Sequence, residues 1–221
     1  MRKEETEDGK KEKMERRKLG GGKENKKRSN TIKEQYKLAW NYIVNSKRYI
    51  YFIVALFVIF LIIGYFLPVF FVDEVIELVS KIIDETEGMG FFELFVFIFY
   101  NNLKTSLISI IAGIAFGIFS IFNTIVNSYL IGFVGRAASE KIGAGVLFRL
   151  VPHGIFELPS FILSLGLGLR LGLYLFLKKK GETFSGNLEN VLRVFIFVIL
   201  PLLLIAAFIE TMLIVVIFPS G

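Results

Sequence analysis

YIYFIVALFVIFLIIGYFLPVF, residues 49–70, holds no charged side chain and lies between Arg48 and Asp73. A helix needs about 20 apolar residues to cross the hydrocarbon core of a bilayer. In that core every backbone N–H and C=O must be satisfied within the protein, which a helix does within itself. The stretch therefore reads as a membrane-spanning helix. The rest of the chain points the same way: 54% of its 221 residues are hydrophobic and 15% aromatic, and its mean hydropathy is +0.61. That is too apolar for a soluble domain of this size. The run is also too long for the apolar core of a secretory signal, and no small-residue cleavage site follows it, so it is expected to stay in the mature protein.

Toward the amino terminus the character changes. Residues 1–48 carry 16 Lys and Arg against 8 Asp and Glu, leaving 10 against 12 for the remainder. Residues 1–30, with Lys10-Lys11-Glu12-Lys13, Arg16-Arg17-Lys18, Gly20-Gly21-Gly22 and Lys26-Lys27-Arg28, have almost nothing apolar to bury. Ordering such a segment costs conformational entropy without return, so a disordered basic tail is expected. Beside an anionic leaflet each Lys or Arg is attracted by about 1 kcal/mol. Nucleic acid is not expected as a partner, because no aromatics are interleaved with the basic clusters. Residues 31–48 read as an amphipathic juxtamembrane helix: Thr31-Ile32-Lys33-Glu34 has capping-box spacing, and Ile32, Tyr36, Ala39, Trp40 and Ile43 recur at helical intervals. Trp40, Tyr42 and Tyr49 suit the headgroup layer.

Toward the carboxyl terminus, residues 49–221 form the transmembrane domain. Asp73, Glu74, Glu77, Asp84, Glu85 and Glu87, relieved by Lys81, mark a segment expected to lie on the outer surface. Phe91–Tyr100 is too short to cross by itself and reads as a surface or re-entrant helix leading into a second span at Leu107–Phe122. Asn123–Asn127 breaks that run, and Ile125–Val134 is a short third span. Ala144–Val151 reads as a re-entrant piece, His153–Leu177 as the fourth span and Val191–Phe218 as the fifth. The expected fold is thus all-α, a polytopic bundle of five spans with short amphipathic or re-entrant helices. Five spans place Arg48 and Lys178-Lys179-Lys180 on one side, which the positive-inside rule makes cytoplasmic. The expectation is a multi-pass plasma-membrane protein with its amino terminus inside and its carboxyl terminus outside.

The absence of Cys excludes disulfides, thiolate nucleophiles and Cys-based metal or iron–sulfur sites. A zinc hydrolase motif needs two His on one helix face, and the chain has one His. No metal, cofactor or catalytic residue is assigned. The most informative polar stretch is Arg149-Leu150-Val151-Pro152-His153-Gly154-Ile155-Phe156-Glu157-Leu158-Pro159. Pro152 suits a helix start, and His153 and Glu157, four apart, share one face. Glu210 is the second acid within a span. An unpaired charge at membrane depth costs about 2.5 to 3.5 kcal/mol on insertion scales. Glu157 and Glu210, with His153, Arg149, Asn101, Asn102 and Lys104, are therefore expected to form one polar cluster in the outer half, balanced by Arg or Lys, Arg136 included. Three readings stand for it: a structural knot that fixes helix packing, an acid–base site, or a polar path for an ion, headgroup or small solute.

Gly113 and Gly117, and Gly168 and Gly172, have the four-residue spacing that lets helices approach closely in lipid. Arg170, about two turns before the lysine triplet, is expected to snorkel to the cytoplasmic headgroups. Asn123 and Asn127 are expected to join the second and third spans.

The order Asn101-Asn102, Gly113 and Gly117, Asn127 and Gly132, Pro152-His153-Gly154-Ile155-Phe156-Glu157-Leu158-Pro159, Ile209-Glu210 and Pro219 resembles the stage II sporulation protein M family. The resemblance runs from about Asn101 to Gly221, with residues 49–70 matching as a hydrophobic span. Pro-His-Gly-x-x-Glu at the head of a membrane helix is its specific mark. Ser128 stands where the family commonly has Gly, and the charged tail is outside the pattern. In spore formers the namesake is understood to anchor a complex containing cell-wall hydrolases during engulfment; the family also includes archaea without such a wall. The resemblance implies a non-enzymatic membrane scaffold or partner anchor in a non-sporulating organism, with a transporter or channel-like component as the alternative. The expected partners are the lipid bilayer, other membrane or extracytoplasmic proteins, and further copies of the chain.

Overall fold

The computed structural model describes residues 31–69, 73, 77, 80–81, 84–114, 117–143, 146–177 and 183–217, and within these all side chains except those of 141, 142, 146–153, 216 and 217. The basic tail, the lysine triplet and the side chains of Arg149 and His153 lie outside the described set. Helix α1 covers residues 31–45 and stops at a turn on Ser46. It is followed by α2 (Lys47–Phe66), α3 (Phe91–Ile114), α4 (Ile118–Ile142) and α5 (Val146–Tyr174). The last rod is α6 (Phe184–Val194), a π-helical segment (Phe195–Ile199), α7 (Leu200–Met212) and a second π segment (Leu213–Ile217). Among the described residues there is no strand. Five helices, Lys47–Phe66, Phe91–Ile114, Ile118–Glu140, Gly154–Tyr174 and Phe184–Val215, are long and apolar enough to cross a membrane. The fold is an all-α helical bundle.

The number of spans agrees with the expectation, but boundaries move, and the fifth span begins at Phe184 rather than at Val191. Phe91–Tyr100 is neither a surface nor a re-entrant helix: it forms the first turns of α3, and Asn101, Asn102 and Lys104 lie inside that helix. Their i→i−4 bonds continue the helix, which neutral amides and one lysine do not interrupt. The chain turns at Gly117, whose φ of 73° is left-handed, and Asn123 and Asn127 fall inside α4. Glycine takes that conformation without the Cβ penalty other residues carry. Nor is the third span short, since α4 runs for 25 residues. Finally, Val146–Val151 is the opening of α5 rather than a re-entrant piece. Pro152 thus stands in the second turn instead of starting the helix, where its ring removes the bond to the carbonyl of residue 148.

The last rod is longer than a crossing requires. Its first turns carry Asn187, Glu189, Asn190 and Arg193, so they extend the bundle beyond the apolar layer. Thr183 caps it, its hydroxyl accepting from the Gly186 amide at 3.1 Å. The first π segment sits just ahead of Pro201, whose ring cannot follow a regular α turn. Between α2 and α3 the acidic segment is described in part; Asp73, Glu77, Asp84, Glu85 and Glu87 are exposed, and Lys81 stands 3.9 Å from Glu85.

Two close crossings hold the bundle. At the first, α2 meets α4: a Cβ on Gly64 would fall 2.1 Å from the Tyr129 carbonyl oxygen, and one on Gly132 2.2 Å from that of Leu61. At the second, α3 meets α5, with Gly113 and Gly117 set against Gly168 and Gly172. In lipid, where no hydrophobic effect draws apolar helices together, such approach yields the dispersion contacts that stabilise association. Around these crossings the core divides into one cluster centred on Ile110, Leu167, Leu171, Val191 and Leu203 and another on Ile53, Phe57, Phe161 and Leu165.

Candidate functional site

The helix register decides which polar residues can meet. Gly168 lies against Ser109, Ile110 and Gly113, and Gly172 against Gly113 and Gly117, so α3 and α5 run side by side in the same direction. Carried back along both helices, that register sets Asn102 level with Glu157. On α7, the Phe208 ring stands 6.0 Å from that of Phe91, and Ala207 is buried with Leu94 and Ile98. Glu210 therefore lies near the start of α3, closer to that end of the bundle than Glu157. The α5 and α7 helices pack together, and Glu157 and Glu210 stand within electrostatic reach of each other. Both are half-buried.

The other members are arranged differently. Asn102 is half-buried, but Asn101 and Lys104 are exposed on the outward face of α3, together with Ile108 and Ile111. Arg136, expected to balance the acids, bonds Glu140 one turn on in its own helix at 2.6 Å, and its guanidinium lies 5.8 Å from the Tyr65 ring. That pair is solvent-facing and self-contained. Among the described residues no cation pairs with Glu157 or Glu210. The structure thus brings the two acids within reach of each other, sets Asn102 at the height of Glu157, and sends Lys104 and Arg136 elsewhere. No group of three or more metal-ligating side chains occurs among the described residues.

A second polar system ties α4 to α3, and further buried hydroxyls are spread along the bundle. Asn123 donates from Nδ2 to Ser109 Oγ at 2.9 Å, tying α4 to α3, and Asn127 donates to both the carbonyl and the side chain of Asn123. Ser109, Thr124, Ser128, Ser160, Ser164 and Thr211 are buried, and each hydroxyl donates to the carbonyl four residues back. They are small polar residues that fit between helices while remaining satisfied. Ser120 Oγ is buried without a partner beside Gly168.

Arg170 does not snorkel. Only 7% exposed, it donates from Nη1 to Ser46 Oγ at 2.7 Å and lies 4.0 Å over the Tyr42 ring. Tyr42 in turn donates its hydroxyl to Asn187 Oδ1 at 2.9 Å. A long basic side chain can instead turn inward where an aromatic face and oxygen acceptors replace its hydration.

The family model described as Stage II sporulation protein M matches residues 53–213. The chain belongs to that family. Within this stage II sporulation protein M member, the matched region takes in both glycine crossings, Glu157, Glu210 and Arg170, and leaves α1 and the tail outside. Two uncharacterized proteins of Methanocaldococcus jannaschii are similar to it. One is 30% identical over 116 residues, half of this chain and 65% of the relative; the other is 40% identical over 68 residues, 30% of this chain and 28% of the relative. The chain therefore spans less than two thirds of either. No solved structure matches it.

Gly64 and Ser109 escaped the sequence reading. Gly64 interrupts a long apolar run, and that interruption is its signal in the sequence. Ser109 had none, because a serine that meets Asn123 across a turn reads like any serine in a span.

Proposed function

We propose that this stage II sporulation protein M member is a non-enzymatic membrane scaffold that holds a partner protein at the end of the bundle where Glu157 and Glu210 lie. One observation carries the reading: the buried hydroxyls of Thr124, Ser128 and Ser164 bond to their own helix backbones, around crossings closed to backbone contact. A bundle built that way favours a fixed support over a wet path. The half-buried acids on α5 and α7 offer a partner helix or loop a polar point of attachment, since charge at membrane depth is kept where it gains a contact. Exposed Asn101 and Lys104 on α3 offer a second point, either for such a partner or for another copy of the chain. The basic tail favours an amino terminus in the cytoplasm and a site facing outward, in the plasma membrane.

The alternative, a transporter or channel-like component, draws on the mutual reach of Glu157 and Glu210, because two acids that repel each other can be eased by a passing cation or proton. Proteoliposome flux of monovalent cations, measured for the wild type and for Glu157→Gln and Glu210→Gln, separates the two. The scaffold reading expects no flux that responds to either substitution, and partner co-purification that weakens with both. Flux abolished by Glu157→Gln would end it.

A further inference from the structure

We propose that Arg170 is a latch that fixes α1 to the bundle at a hinge on Ser46, so that the amino-terminal helix has a docked and a released position. The hinge is visible in the backbone: α1 ends at residue 45, Ser46 turns with φ −94° and ψ −1°, and α2 begins at Lys47. Ser46 is both the pivot and the acceptor of the Arg170 bond, and its own hydroxyl bonds back to the Tyr42 carbonyl at 2.7 Å.

Docking of α1 rests on a narrow footing. Its buried residues are Ala39 and Tyr42, with Ser46 at the turn, whereas Ile32, Leu38, Trp40 and Val44 are each more than 40% exposed. Ala39 and Tyr42 enter the core cluster of Ile110, Leu167, Leu171 and Val191, with Ile43 packed beside them, and the rest of the hold comes from polar and ring contacts. These are Arg170 over Tyr42, Tyr42 to Asn187, Arg193 Nε to Gln35, and the Tyr36 ring edge-on to Phe197 at 5.2 Å. Contacts of this kind contribute modestly, and a hydrogen bond from a charged donor is the strongest among them. The bundle itself is held by the glycine crossings, which α1 does not touch. Loss of the Arg170 contact should therefore free α1 and spare the spans. Once free, α1 presents Lys33 and Lys37 with Leu38, Trp40 and Val44, a composition suited to an anionic leaflet.

The test is amide hydrogen exchange on the full chain in nanodiscs of phosphatidylcholine with phosphatidylglycerol, comparing wild type, Arg170→Gln and Tyr42→Leu. Tyr42→Leu removes the ring and leaves the arginine, in case Arg170→Gln does not fold. The expected result in a folded variant is roughly tenfold or faster exchange across residues 31–45, the scale of a lost charged hydrogen bond, with Phe91–Ile114 unchanged. Unchanged exchange across residues 31–45 in a folded variant overturns the latch. So does an equal rise in α1 and α3, which would make Arg170 a support of the whole bundle.

Discussion

Gly113 and Gly168 meet with no side chain between them: a Cβ on Gly113 would stand 2.4 Å from the Gly168 carbonyl carbon, and one on Gly168 would stand 2.6 Å from the Ser109 carbonyl oxygen. The obstruction in each case is backbone, which cannot turn aside as a side chain can. Gly168→Val is expected to destabilise the bundle by about 1–3 kcal/mol or more, the range for overpacking. A lower midpoint of denaturant unfolding in detergent is the readout, and a midpoint equal to wild type would show that α3 and α5 do not meet here.

The α2–α4 crossing at Gly64 and Gly132 is a separate contact, and double-mutant cycles should show the separation. Gly64→Ala and Gly132→Ala push on one interface and should couple by at least about 0.5 kcal/mol, whereas Gly64→Ala with Gly168→Ala should add within about that margin. The reverse pattern would mean that the two crossings share one packing unit.

Asn123 and Asn127 look alike in sequence and should not behave alike. Asn123 reaches across to Ser109 Oγ, while Asn127 bonds to Asn123 in the same helix. Hydrogen bonds between helices in lipid average about 0.6 kcal/mol and reach about 1.7. Asn123→Leu is expected to cost within that range and Asn127→Leu less; equal losses in the unfolding midpoint would argue against the cross-helix bond.

Glu157 and Glu210 lie on the packed helices α5 and α7, and no described cation pairs with either. We predict that Glu210→Gln leaves the bundle as stable as wild type or raises its stability by up to about 1 kcal/mol, because burying unpaired charge opposes folding. A drop of several degrees in thermal unfolding would show instead that the carboxylate is held by a partner within the chain.

How far the fold was legible depended on the kind of signal. Residues 49–70 announced a span because hydropathy and length act additively along the chain, whatever the neighbours. Asn123–Asn127 is no boundary: amides look like breaks in a hydropathy profile, but a helix in a bundle satisfies Asn123 against Ser109 and Asn127 against Asn123. Gly117, which does break the helix, reads as one more packing glycine until its φ is known. The same limit applies to the site. Glu157 and Glu210 stood out as acids in apolar surroundings, and the register that sets Asn102 level with Glu157 follows from the crossing of Gly113 and Gly168. Arg170 misled because its closeness to the lysine triplet suggested water, while the ring that shelters it, Tyr42, lies on a helix more than a hundred residues earlier.

Three residues separate Ile114 from Ile118, and the last of them is the left-handed Gly117. During synthesis neither helix can settle in the bilayer far ahead of the other, because the link is too short to let one cross while its neighbour waits in the insertion channel. The two should enter as a folded hairpin, already joined by the Asn123–Ser109 bond. This part of the topology would then be decided in a single step of biogenesis.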